Sequence, residues 1–295
     1  MKRFPFSHEI HNQVSLALME DWGSEGDLTS ILVSSSSVVC VELIVNEHAT
    51  LCGQQWFDTS FFQVDPSVRV KWFFNDGDTI LPGTIVAEVC GCARSVFSTE
   101  RVALNFLQML SGVATRTSKF VSLVKHTKCQ ILDSRKTIPG LRLAQKYAVR
   151  CGGGENHRSG LYDMILIKDN HINAVGGVTE AYNRIKKEHR FHSSGLFPVM
   201  IEVDTLEQLR EALSCGIDMI MLDNMELSCV REAVKINDGR AVLEVSGGIT
   251  ENTVSSYAET GVDRISIGAL TKSIVAVDFS LQVRVSHVNS SATTR

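Results

Sequence analysis

No apolar run in this 295-residue chain approaches the roughly 20 residues that cross a bilayer, so a membrane partner is not expected. The opening residues Met1-Lys2-Arg3-Phe4-Pro5 lack the apolar stretch of a secretory signal, and a cytoplasmic protein is expected. Basic charge is not in excess either: 29 Lys and Arg stand against 33 Asp and Glu, a net charge of −4. Without a global positive field, nucleic acid is not an expected partner, and an anion must be held by locally clustered cations. Zinc spacing is missing as well. Cys90-Gly91-Cys92 has no second Cys or His pair to complete a tetrahedral site. Several of the eight cysteines lie inside apolar runs, so packed, reduced thiols are expected.

What is present is an ordinary globular composition, 44% hydrophobic and 21% charged, on a chain long enough for one barrel plus a smaller domain or for two ordinary domains. Six short apolar runs in the second half stop at charged or glycine residues. They are Ile131–Lys136, Met164–Lys168, Val199–Glu202, Met219–Asp223, Val242–Gly248 and Ile265–Gly268. Such runs, separated by helix-like stretches, read as buried parallel strands. In a parallel α/β barrel, strand ends gather on one face. Cations, two carboxylates and a Ser-Gly-Gly turn would meet there, the layout of a site for a polyanionic substrate.

The first third reads as α+β. A helix is expected over His8–Glu20, with Ile10, Val14 and Leu18 on one face, and strands over Val38–Val45 and Val68–Phe74. Ser98-Thr99-Glu100 resembles a helix start. Ser111-Gly112 is expected to end or kink that helix, with a second helix running to Lys125. The division is thus 1–112, then 113–271 as a βα alternation, with 272–287 packing back on the first domain and 288–295 frayed. Further helices are expected at Leu141–Arg150, Val178–His189, Leu206–Ser214, Leu227–Lys235 and Asn252–Glu259, with Thr205 and Thr250 at N-cap positions.

Several constellations could carry chemistry. Arg135 and Lys136 after Asp133 suit phosphate or carboxylate, though a solvated loop is the plain alternative. Gly152-Gly153-Gly154 ahead of His157 and Arg158 could bring backbone N–H groups around an anion, or be only a flexible loop. Glu202 and Asp223 end adjacent runs and would hold Mg²⁺ with substrate phosphates, or form structural ion pairs. Asp204 lies just beyond. Ser246-Gly247-Gly248 leads toward a helix and reads as a phosphate turn, with Gly268-Ala269 as the next strand's equivalent. Asp76-Gly77-Asp78 to Val86-Ala87 resembles a biotinyl or lipoyl carrier hairpin, but no lysine lies between Asn75 and Cys92 to take the prosthetic group.

Taken in order, these stretches resemble the quinolinate phosphoribosyltransferase family over nearly the whole chain, from Gly26-Asp27-Leu28-Thr29 to Gly268-Ala269-Leu270-Thr271. The most specific are Thr99-Glu100-Arg101, Asp133-Ser134-Arg135-Lys136-Thr137, Gly152-Gly153-Gly154 with His157-Arg158, Leu166-Ile167-Lys168-Asp169-Asn170-His171, Leu222-Asp223-Asn224 and Ser246-Gly247-Gly248. The family often has threonine where Ser134 and Ile138 stand. Ser134 keeps the hydroxyl and Ile138 loses it.

The resemblance implies an incomplete parallel α/β barrel with an N-terminal α+β sandwich domain. It implies transfer of phosphoribosyl from phosphoribosyl pyrophosphate to quinolinate with decarboxylation, a related transferase acting on nicotinate or another ring being the alternative. Arg101 would reach the neighbouring site of a homodimer or higher oligomer. Arg101, Arg135, His157 and Arg158 would bind the dicarboxylate, with Lys136, Thr137 and Lys168 nearby. Glu202 and Asp223 would hold Mg²⁺ or the ribose hydroxyls. Ser246, Gly247, Gly248, Gly268 and Ala269 would cradle the 5-phosphate. Lys136, Lys168, Glu202 and Asp223 are the catalytic candidates.

Overall fold

A computed structural model of the chain describes residues 7–189 and 197–283. The expected fraying of 288–295 and the reading of Met1–Pro5 concern residues outside that set. The chain divides into two compact units, 1–112 with 275–295, and 113–274. No helix among the described residues is long and apolar enough to cross a membrane.

The first unit begins with helix α1 (Ser7–Trp22), which buries Ile10, Val14 and Leu18, one face at helical spacing. Strand β1 (Val38–Val45) alternates: Val41, Leu43 and Val45 are buried while Cys40 is exposed. After the short β2 (Ala49–Thr50) comes helix α2 (Gln54–Val64), which the sequence reading did not anticipate. Its N-cap is Gly53, which has no side chain to offer. The capping oxygen comes from a distance: Asp76 Oδ1 accepts from Gly53 N (3.0 Å) and Gln54 N (3.3 Å).

Strands β3 (Arg69–Trp72), β4 (Thr79–Ile80) and β5 (Ile85–Cys92) follow. The four-stranded antiparallel sheet is ordered C-terminal strand Phe279–Val283, β1, β5, β3, and β2 pairs separately with β4. Its core joins Leu43, Val45, Phe57, Phe61, Val86 and Leu107.

Three expectations fail in this unit. Cys40 and Cys90 are not free thiols: the β1–β5 register sets them directly opposite, and they form a disulfide with a Cα separation of 4.2 Å. That partnership depends on strand register, which cysteine spacing does not reveal. The second failure is the helix break. Helix α3 runs unbroken from Ala93 to Val124. Ser111 and Gly112 serve packing, not termination. Ser111 Oγ donates to Cys52 O (3.1 Å) and accepts from Cys52 N (3.0 Å). A Cβ at Gly112 would lie 2.2 Å from Val275 O. The helix also starts ahead of Ser98: Thr99 Oγ1 bonds back to Ser95 O within it (2.7 Å), and Ser98 Oγ donates to Asp27 Oδ2 (2.6 Å).

The second unit carries the β-α alternation, in the order β6 (Gln130–Leu132), α4 (Arg142–Cys151), β7 (Ile165–Ile167), α5 (Asp169–Val175), α6 (Val178–His189), β8 (Val199–Val203), α7 (Leu206–Ser214), β9 (Met219–Asp223), α8 (Leu227–Asn237), β10 (Val242–Ser246), α9 (Val254–Ala258), β11 (Arg264–Ser266) and α10 (Ala269–Lys272). All six strands are parallel, in the order β6-β11-β10-β9-β8-β7. Glu155 adds an isolated parallel bridge to Leu132 beyond β6. β6 and β7 do not pair, so the barrel is incomplete.

Ile131, Met200, Ile201, Ile220, Leu222, Leu243, Val245 and Ile265 are buried, as near-continuous apolar runs in a parallel sheet require. Thr205 caps α7, accepting from Gln208 N (3.2 Å). Thr250 does not cap its helix: α9 starts only after Thr253, and Thr250 receives the Thr253 and Val254 amides on its carbonyl instead.

Candidate active site

The C-terminal ends of the six strands open into a cleft of about 600 Å³ within the second unit. Six cationic side chains line it, Arg135, Lys136, Arg142, Arg158, Lys168 and Lys272, against the carboxylates Glu202 and Asp223. His157, Ser246, Gly247, Gly248, Gly268 and Ala269 line it too. Two expected residues do not. Arg101 is exposed on α3, in the part belonging to the first unit. Thr137 stands behind the cleft, where its Oγ1 accepts from Arg142 Nε (3.1 Å).

The cationic side is braced from beneath. Asp133, buried at the end of β6, pairs with Lys146 Nζ of α4 and accepts from His157 N (2.9 Å) and Asn156 Nδ2 (2.6 Å). Burial raises the Asp133 pKa, and Lys146 pulls in the opposite direction. Arg142 ties two loops together through Ser159 O (3.0 Å) and Thr137. The Lys136 carbonyl accepts from Thr271 Oγ1 (2.7 Å). Arg158 is only 7% exposed, and its Nη1 donates to Met164 O (3.2 Å).

His157 turns its nitrogens inward. Nδ1 accepts from Arg158 N (2.7 Å), while Nε2 is buried 3.5 Å from Glu244 Oε1 on β10. Burial, then Lys146, Arg158 and Arg264, push its pKa down to about 4, so the ring is neutral.

Between these cations and the glycine turns stand the carboxylates. Glu202 on β8 is buried and accepts from Lys168 Nζ (2.7 Å). Asp223 closes β9 and accepts from Asn224 Nδ2 (2.6 Å). Burial raises the Asp223 pKa, and the like charges of Glu202 and Asp204 add to the effect. Lys168 and then Lys136 pull the other way.

The glycine turns present backbone to the cleft. Gly247 and Gly248 have φ of 96° and 64°, a conformation that favours glycine, and a Cβ at Gly247 would lie 2.1 Å from Asn224 Oδ1. Helix α9 begins only at Val254, so this turn is not the helix start that the sequence suggested; its N–H groups come from the turn itself. Gly268 is the N-cap of the four-residue α10.

The triple glycine is a different matter. Cβ atoms at Gly152 and Gly154 would lie 2.4 Å from Ala114 O and 2.8 Å from Thr117 Cγ2, so both glycines permit close packing against α3 rather than cradling an anion. Arg142, Asn224, Lys272 and Glu244 were missed as site residues. Asn224 stands inside the quoted Leu222-Asp223-Asn224, Arg142 ends Pro139-Gly140-Leu141-Arg142, a further stretch of the same family resemblance, and the other two carry no local signal.

Residues 113–282 match the family domain described as quinolinate phosphoribosyl transferase, C-terminal domain, and residues 27–111 its N-terminal domain. A rice protein (Oryza sativa subsp. japonica) named nicotinate-nucleotide pyrophosphorylase (carboxylating), chloroplastic, is 40% identical over 94% of this chain and 78% of its own length. A Bacillus subtilis protein named as a probable nicotinate-nucleotide pyrophosphorylase (carboxylating) is also 40% identical, over 91% of each chain. The solved nicotinate-nucleotide pyrophosphorylase from Francisella tularensis superposes with a TM-score of 0.90 at 42% identity, covering 96% of this chain and 98% of that one. Domain matches over both units, relatives at this identity and the shared incomplete barrel all agree: the chain belongs to the quinolinate phosphoribosyl transferase family.

Proposed function

We propose that this chain transfers the phosphoribosyl group of phosphoribosyl pyrophosphate to quinolinate with decarboxylation, giving nicotinate mononucleotide, diphosphate and CO₂ for NAD biosynthesis. The observation that carries this reading is the cleft's excess of cations, six against two carboxylates. One ring carboxylate would not call for so many. Quinolinate brings two, and phosphoribosyl pyrophosphate adds a phosphate and a diphosphate.

Arg135 and Arg158 match the dicarboxylate, since guanidinium forks pair bidentately with carboxylates. Lys136 and Lys168 stand at the same face as compact charges. The 5-phosphate fits the Ser246–Gly248 turn and the Gly268-Ala269 amides. The pyridine nitrogen then attacks the anomeric carbon as diphosphate leaves, through a transition state with oxocarbenium character. No covalent nucleophile is required, so positioning and charge stabilisation do the catalysis. Loss of CO₂ from carbon 2 leaves electrons that the new pyridinium accommodates, and that carbon then takes a proton; Lys136 is our candidate donor.

Glu202 and Asp223 fit Mg²⁺, which takes one or two carboxylates plus substrate phosphates. Bound there, the ion would neutralise charge on the diphosphate. Arg101, exposed on α3, we assign to the site of a second copy in a homodimer or higher oligomer. We assign the chain to the cytoplasm on its six free thiols among the described residues; the Cys40–Cys90 disulfide counts on the opposite side.

Mass spectrometry of the products from quinolinate, phosphoribosyl pyrophosphate and Mg²⁺, with nicotinate as competing acceptor, tests the proposal. Nicotinate mononucleotide formed from quinolinate, with CO₂ and diphosphate, is the expected result. Product from nicotinate alone would overturn the dicarboxylate reading and leave the phosphate site standing.

A further inference from the structure

Two non-glycine residues among those described have a left-handed backbone, Asn224 at φ 52° and Asp238 at φ 46°. Asp238 has an ordinary reason, since it is the C-cap of α8. Asn224 ends no helix: it follows β9 directly, lines the cleft, and α8 begins only at Leu227. Sparsely populated backbone conformations persist where their surroundings hold them, and they cluster at functional sites.

The contacts of Asn224 show what this conformation achieves. Its side chain turns back on its neighbour, and Nδ2 donates to Asp223 Oδ2 (2.6 Å), the one hydrogen bond on that carboxylate among the described residues. Its backbone N donates to Ser246 O (2.9 Å), at the head of the glycine turn. Its Oδ1 occupies space that a Cβ at Gly247 would need. One residue thus touches both the carboxylate that closes β9 and the turn that follows β10. Without the amide, the half-buried Asp223 side chain has other rotamers open to it.

We infer that Asn224 is a positioning residue for phosphoribosyl pyrophosphate: it sets the rotamer of Asp223 and fixes that carboxylate relative to the Ser246–Gly248 turn. The group held at Asp223 and the 5-phosphate held at the turn belong to one molecule, so the spacing of the two holders must match it. This rests on the function proposed above for the identity of that molecule; the link between Asp223 and the turn stands on geometry alone.

Two substitutions separate backbone from side chain. Glycine suits the left-handed backbone and offers no donor. Aspartate keeps asparagine's size and tolerates the same φ, but sets a charge against Asp223 in place of a donor. The experiment measures phosphoribosyl pyrophosphate binding by calorimetry with Mg²⁺ present, steady-state kinetics and urea unfolding in wild type, N224G and N224D. N224G is expected to unfold at the wild-type urea concentration or above it, while its Kd and KM for phosphoribosyl pyrophosphate rise about tenfold. N224D should bind more weakly still, and in both the KM for quinolinate should stay within about twofold of wild type. Wild-type affinity for phosphoribosyl pyrophosphate in N224G would overturn the inference, as would an equal rise in both KM values, the mark of a generally loosened cleft. If N224G does not fold, the same readings on N224D decide. Should wild type bind no phosphoribosyl pyrophosphate, the proposed function fails. The Asp223 rotamer in crystals of wild type and N224G then decides the role of Asn224, an unchanged rotamer overturning it.

Discussion

The two ends of the cleft offer different groups to an anion. After β6 and β7 the lining is of side chains: Arg135, Lys136, Arg158 and Lys168 reach in, and a second layer holds the loops that carry them. That layer is the Asp133–Lys146 pair, the Asn156 amide, the Arg142 brace and the His157–Glu244 contact. After β10 and β11 the lining is mainly backbone, with Gly247 and Gly248 in left-handed conformation and Lys272 as the cation at that end. The side-chain end can therefore be damaged from behind, by residues that never touch substrate. The backbone end is damaged mainly by adding atoms.

The largest effect expected from that contrast is Lys146→Met. It takes the cation from the buried Asp133 carboxyl and the donor from the His157 carbonyl, which should cost about 3–5 kcal/mol in urea unfolding. A loss under about 1 kcal/mol would mean that the cationic end does not depend on its support.

Next is Gly247→Ala, which forces a Cβ against Asn224 and strains a left-handed backbone. Turnover should fall about 100-fold, as for a misplaced binding group, with the unfolding midpoint changed far less. Near wild-type turnover would remove the backbone turn from phosphate binding.

A smaller effect separates the ends by pH. Glu244 has its pKa raised from 4.5 to about 7, chiefly by burial; the Ser266 hydroxyl and then Arg264 lower it, and Asp133 raises it. The folded chain therefore keeps a proton the unfolded chain has lost, and this stabilisation disappears as pH rises from 4.5 to 7. His157 acts oppositely: its pKa is lowered from 6.5 to about 4, so its contribution disappears as pH falls through that interval. The groups around the pair are Cys129, Asp133, Lys146, Arg158, Asp163 and Arg264. The two trends oppose each other in wild type. In E244Q only the histidine's remains, so its melting temperature relative to wild type should climb between pH 4.5 and 6.5. A constant difference across that range would contradict the pairing.

The smallest is Thr137→Val, which removes one hydrogen bond from the Arg142 brace. About 1 kcal/mol, seen as a several-fold higher KM for quinolinate, is expected. An altered KM for phosphoribosyl pyrophosphate instead would erase the distinction between the two ends.

The same contrast explains what could be read from sequence. The strand-terminal residues Lys168, Glu202, Asp223 and Ser246 were legible because parallel strands end together, so position along each strand becomes position in the site. A parallel barrel was legible for the same reason, whereas its incompleteness came only from the family resemblance. Features decided by remote partners were not. Ser111-Gly112 has the composition of a helix stop, yet Cys52 and Val275 set its role. Gly53 starts a helix because Asp76, far along the chain, supplies the cap. Gly152 and Gly154 resemble an anion loop and serve helix packing. Glu244 lies in the middle of an apolar strand, where nothing marks which neighbour it faces.

Gly268 has a consequence for how such a sequence can change over time. A Cβ there would lie 2.8 Å from Lys136 Cδ, so the lysine stem runs through space that the glycine leaves free. A methyl at 268 would spare the fold, because a flexible stem can swing aside, but it would carry the ammonium off its station. Positions 136 and 268 therefore do not drift independently. A lineage that acquired a side chain at 268 would have to find a new source for the charge of Lys136, and the order of those two substitutions would decide whether the intermediate survived.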